Sequence, residues 1–150
     1  MPAADRLRLI ALDTEDLAVL SAHLQDAVVK TGDMTWLPGG KRFALVLNRF
    51  AWETVNSGFR KKKEYQRRRT GLHFERVKKV RSSGIDLTSK DGILSLLTVQ
   101  FHATDSPAGE VHLIFSGGPV VCLAVECLEA QLSDLGPAWS ADHAPRHGID

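Results

Sequence analysis

Little in this sequence points to covalent chemistry. Only two cysteines occur in 150 residues, Cys122 and Cys127. They are not spaced as CxxC, and no second pair completes a zinc site. Both read as reduced, buried, small hydrophobes. No apolar run approaches the ~20 residues of a membrane helix. The start, Met1-Pro2-Ala3-Ala4-Asp5-Arg6, lacks the basic flank and apolar stretch of a signal peptide. A cytoplasmic protein is therefore expected. Nucleophile elbows, dinucleotide fingerprints and metal-binding helix motifs are missing. Gly39-Gly40-Lys41 lacks Walker spacing, and Ser116-Gly117-Gly118 lies between two strands, so neither is a phosphate cradle. No cofactor, no metal and no catalytic residue are expected.

What the chain does have is segregated charge. Nineteen Lys and Arg against eighteen Asp and Glu leave a net charge of +1. Residues 60–81 hold eleven of those cations and only two acids, Glu64 and Glu75, for a local +9. The remaining eight cations and sixteen acids give −8. A concentrated positive segment is a physical handle for an anionic partner.

The length suits one domain with a real core. Residues 6–12 alternate weakly and read as a strand. Asp13 or Thr14 then caps a helix whose Leu17, Leu20 and Leu24 form one apolar stripe. Residues 28–37 and 41–52 make a hairpin around the breaker Pro38-Gly39-Gly40. Residues 53–69 have no apolar period and read as a long loop. Strands follow at 70–80, 85–88, 93–104, 110–116 and 120–125. Leu128, Leu132 and Leu135 recur at helical spacing, and Gly136-Pro137 ends the pattern, which predicts a C-terminal helix over 126–135. Residues 1–137 thus form one α+β domain, and the polar residues 138–150 read as a mobile tail. Short links between strands favour an antiparallel meander. About seven strands would curl into a strongly curved sheet or a barrel, pleckstrin-homology-like apart from the early helix.

Several stretches also match a known pattern. They are residues 42–53 (RFALVLNRFAWE), Gly84-Ile85-Asp86 with Lys90-Asp91, Leu94-Ser95-Leu96-Leu97, Pro107-Ala108-Gly109, Val125-Glu126-Cys127-Leu128-Glu129 and Ala144-Pro145-Arg146-His147. In order and spacing they resemble a small alphaproteobacterial family described as domain of unknown function 2948. The resemblance spans nearly the whole chain. It implies a single-domain, cytoplasmic bacterial protein and carries no catalytic residue with it.

The candidate contact surface is the basic segment. Arg60, Lys61, Lys62, Lys63, Arg67, Arg68, Arg69, Lys78 and Lys79 supply charge, and Tyr65 supplies stacking or packing. Cations that neutralise phosphate beside aromatics that stack on bases are what single-strand binders use. A charged loop is also commonly plain solvated surface, or pairs with acids of its own chain. His102 and His112 fall on adjacent strands as outer-face neighbours, but two imidazoles are too few for zinc without a third ligand. Asp86 and Asp91 read as turn chemistry rather than as an acid–base pair. Trp36 and Trp52, near opposite ends of the first hairpin, read as packing.

These features predict a non-enzymatic binding or adaptor module that meets an anionic partner through the basic loop. That partner is an acidic protein, a nucleic acid or an anionic membrane surface. One alternative is an RNA- or DNA-binding protein using the same loop. Another is a small-ligand binder or enzyme with a pocket in the curved sheet. A third is a homo-oligomer whose acidic and basic faces pair.

Overall fold

Period-two alternation runs through most of this chain, and those stretches fold as strands. A computed structural model describes residues 6–57, 60–86, 88–136 and 139–140, with backbone alone for 51–57, 60–66 and 139–140. The elements are β1 (Arg8–Ala11), α1 (Thr14–Leu24), β2 (Val28–Leu37), β3 (Arg42–Ser57), β4 (Arg60–Phe74) and β5 (Val77–Ser83). They continue as β6 (Ile93–Ala103), β7 (Gly109–Phe115), β8 (Val120–Val125), β9 (Ala130–Asp134) and β10 (Trp139–Ser140). A 3₁₀ turn, Pro38–Gly40, joins β2 to β3.

Among the described residues every strand pair is antiparallel, in the order β1-β9-β4-β3-β2-β6-β7-β8-β5, with β10 beside β4. The antiparallel expectation holds, but the barrel does not form. Among the described residues β1 pairs only with β9 and β5 only with β8, so the sheet keeps two open edges.

The helix α1 starts where its cap predicts. The Asp13 carboxylate accepts the Asp16 N–H at 2.8 Å, satisfying one of the free donors of the first turn. Asp26, in the left-handed region at φ 67°, turns the chain out of it. Leu17, Leu20 and Leu24 are fully buried in one core with Leu96, Val99 and Phe115. Past Ser95, β6 runs beyond its ladder with β2. There the α1 hydroxyl of Ser21 accepts the Val99 N–H at 2.9 Å, so the helix covers an edge the sheet leaves open.

Four local expectations are corrected. The first is the C-terminal helix over 126–135. Ala130–Asp134 is instead β9, inserted between β1 and β4. Ala130, Leu132 and Asp134 are buried, Gln131 and Ser133 are half-buried, and Leu135 is 52% exposed. Leu128 and Leu132 fit either period, Leu135 only the helical one, and two strands in need of backbone partners decide for the shorter one.

The second is the long loop at 53–69. β3 and β4 pair continuously from Phe43↔Phe74 to Ser57↔Arg60. Apolar alternation reports a buried face, not backbone pairing. A ribbon that extends past its neighbouring strands has no core face to report. The third is the single strand over 70–80. Arg76 takes a left-handed φ of 60° and splits it into β4 and β5.

The fourth is the strand expected over 85–88: Ile85, Asp86 and Thr88 belong to no strand, and Asp86 accepts the Thr88 N–H at 3.0 Å, as turn chemistry requires. Leu87 lies outside the described residues. Of the tail, Trp139 and Ser140 pair with Arg67 and Gln66, and 141–150 lie outside the description.

Candidate functional site

The basic segment splits into two places. Its first part lies on β4, where Arg60, Lys61, Lys62 and Lys63 stand opposite Ser57, Asn56, Val55 and Thr54, and Tyr65 opposite Trp52. From Trp52 to Ser57 the only described partner of β3 is β4. This six-pair ribbon is about 20 Å long at the rise of an extended strand. It is a two-stranded arm with one very basic strand.

Lys78 and Lys79 are elsewhere. They are exposed on β5, the far edge strand. Val77 donates its N–H to Lys41 O, at the opposite end of β3 from the arm. The two basic patches are therefore separated by most of the length of β3.

The root of the arm is held by buried charge. Arg49 and Arg68 face each other across the ladder and are 4% and 5% exposed. Asp134 of β9 accepts two hydrogen bonds from the Arg49 guanidinium, at 2.9 and 2.8 Å. It also accepts the Thr70 hydroxyl and the Leu7 N–H, both at 2.8 Å, and Arg68 Nε lies 3.9 Å away. Burial pushes the Asp134 carboxyl up, but the bonds from Arg49, Leu7 and Thr70 outweigh it and hold it below the usual carboxylate range. His23 at the end of α1 is held down by its burial and then by the Arg49 charge. The positive charge of Arg68 is thus used inside the molecule. Arg67 lies over the Phe50 ring, 5.0 Å from its centre, and Arg69 is exposed.

A second cluster sits on the outer face of β5–β8. Register places Arg81 and His112 on either side of Cys122, on three adjacent strands. Glu110 Oε1 lies 3.1 Å from His112 Nε2 and 3.4 Å from Cys122 Sγ. Arg81 Nη2 lies 3.0 Å from both Glu110 Oε2 and Cys122 Sγ. The His102 and His112 rings are neighbours, as expected, with centroids 4.5 Å apart. A cleft of about 380 Å³ bordered by Ser82, Ser83 and Val120 opens beside them. Hydrogen bonds from His112 and Cys122 outweigh the cost of burial and, with the Arg81 charge, hold the Glu110 carboxyl low. Burial and the Glu110 carboxylate push the Cys122 thiol up. Sequence reasoning paired the histidines and missed Cys122, Glu110 and Arg81. The one available signal was Glu110 and His112 at strand spacing i, i+2.

Another cavity, about 570 Å³, lies between α1 and β6. None of its lining residues is titratable; Ser21, Gln25, Thr98 and Gln100 give it polarity.

A family model described as "Protein of unknown function (DUF2948)" matches residues 7–147. The chain belongs to this family. The resemblance read from the spaced stretches is thereby shown. The matched span includes the arm, its buried root and the outer-face cluster, and the DUF2948 description assigns a role to none of them. No curated protein and no solved structure matches the chain. No helix among the described residues is long and apolar enough to cross a membrane.

Proposed function

We propose that this protein is a non-catalytic, cytoplasmic binding or adaptor module that grips an anionic partner with the β3–β4 arm. The carrying observation is the arm itself. A ribbon whose β4 strand bears Arg60, Lys61, Lys62 and Lys63, with Arg69 exposed on the same strand past the root, is rooted in a buried network of Arg49, Arg68 and Asp134. A ribbon continuous with the sheet carries its cations on paired backbone, which a solvated loop does not. An acidic protein surface complements it, and charge pairing would set the encounter rate and its salt sensitivity.

The shape of the arm favours a second reading, nucleic acid. The major groove of DNA admits a two-stranded β-ribbon, and Lys and Arg along it would neutralise phosphates. Lys78 and Lys79, remote from the arm, belong to neither contact.

The test is a pull-down from native lysate with and without nuclease, comparing the wild type with Lys61→Glu/Lys62→Glu/Arg69→Glu. The expected result is a partner lost from the variant and lost as salt rises. Nuclease sensitivity of that partner selects the nucleic-acid reading. If the variant keeps every partner, the arm is not the contact surface.

A further inference from the structure

We propose that Glu110, His112 and Cys122 form a binding site for a zinc-class divalent cation on the outer face of β7 and β8. Their donor atoms all lie within 4.8 Å of one another. Ligands at 2.0–2.3 Å from a tetrahedral ion stand roughly 3.3–3.7 Å apart. The Glu110–His112 and Glu110–Cys122 separations of 3.1 and 3.4 Å are already close to that. The donors sit on paired strands rather than on loops, so little backbone rearrangement is needed to close the site.

The donor set selects the ion. A thiolate with an imidazole suits Zn²⁺, whereas Mg²⁺ and Ca²⁺ prefer all-oxygen shells. Three protein ligands leave one position for water, the arrangement of open zinc sites. Entry is by way of the cleft beside Ser82 and Ser83.

Arg81 is the placeholder. Without metal, its guanidinium bridges Glu110 and Cys122 and supplies the positive charge these groups face. Its side chain is half-exposed and can leave to solvent as the ion arrives. Cys122 must lose its proton to ligate, and the Nε2 proton that His112 shares with Glu110 must move to Nδ1, leaving the imidazole neutral. Binding therefore converts the thiol to a metal-bound thiolate and releases one H⁺ to solvent.

Cobalt(II) titration of the full chain tests this, because tetrahedral thiolate-bound Co²⁺ has an ultraviolet charge-transfer band and strong visible bands. One equivalent is expected to bind with the charge-transfer band, and Zn²⁺ to displace it. Cys122→Ser should abolish that band, and Cys127→Ser should leave it intact. His112→Ala should weaken binding by at least about tenfold, the lower end of what even outer-shell partners produce. Arg81→Ala should tighten it, since it removes a competing cation. A merely structural hydrogen-bond cluster would show no such gain. Circular dichroism of each variant checks that it is folded. The proposal is overturned if no charge-transfer band appears, if the band follows Cys127, or if binding is lost with His143→Ala/His147→Ala in the tail.

Discussion

Arg49 and Asp134 form a two-bond ion pair in the interior, with Nε–Oδ1 at 2.9 Å and Nη2–Oδ2 at 2.8 Å. It ties β9 to β3 at the position where the sheet narrows to the basic arm. Breaking it by removing one partner leaves a charge buried and unpaired. Asp134→Asn is expected to cost about 3–5 kcal/mol, because it strands both Arg49 and Arg68. The double variant Arg49→Met/Asp134→Leu should lose less than the sum of its single variants. Urea denaturation of all four proteins gives the coupling, and strict additivity would mean that the pair is not the clamp.

The same region contributes to the acid sensitivity of stability. The His23 value is lowered from an ordinary 6.5, by burial and then by Arg49, so the folded state prefers the neutral ring. Its contribution is complete above about pH 6.5 and declines as pH falls below that. The Asp134 value is lowered from 3.8, because its hydrogen bonds outweigh its burial. Its contribution is complete above about pH 4 to 5 and is lost as pH drops through the folded value. Thermal melts against pH should therefore show a high plateau near neutrality and a two-part acid decline. His23→Gln should flatten the upper part. A melting temperature that rose on acidification from pH 7 to pH 5 would contradict this assignment.

Ser21 is the polar joint between α1 and the sheet. Its hydroxyl accepts the buried Val99 N–H at 2.9 Å and lies 3.2 Å from the Thr98 hydroxyl. Ser21→Ala leaves that amide without a partner, at an expected cost of about 1–3 kcal/mol. Hydrogen exchange at Val99 should accelerate in the variant. An unchanged midpoint in denaturant would show that water or a shifted backbone replaces the hydroxyl.

Gly109 is needed for lack of space, not for an unusual φ. A Cβ there would stand 2.6 Å from the His102 carbonyl oxygen and 2.6 Å from the Phe101 ring. Gly109→Ala must displace backbone as well as ring, and is expected to destabilise by about 1–3 kcal/mol or more. Because Gly109 adjoins Glu110, cobalt binding at the outer-face cluster should weaken with it.

Legibility in the sequence followed burial. The Asp13 cap is legible from its residue type, and the Leu17–Leu20–Leu24 stripe and the alternation of β7 from a one-sided apolar signal. β9 was misread because Leu128, Leu132 and Leu135 satisfy a helical period by coincidence. The deciding inward residue, Asp134, is charged, and its partners come from β3 and β4. The arm reads as a loop because backbone pairing beyond the neighbouring strands requires no apolar pattern. At the outer-face cluster the His102–His112 contact followed from one turn. Cys122 beside Arg81 needed the register of two further ladders, which an apolar VVCLAV run conceals.

The arm's exposure to exchange follows from its ladder. Between Glu53 and Ser57 each residue of β3 pairs with β4, and no second described strand flanks either side. A lone two-stranded ribbon is marginal in water, so its stability is borrowed from the root at Arg49, Arg68 and Asp134. Amides of 53–57 and 60–64 should therefore exchange faster than those of 43–48, which lie inside the wider sheet. Asp134→Asn should accelerate the arm more than β7 or β8. Adding the partner recovered in the pull-down should slow exchange in the arm and leave β5 unaffected, since Lys78 and Lys79 lie at the other end of β3. Protection appearing at β5 instead would move the contact surface to that edge.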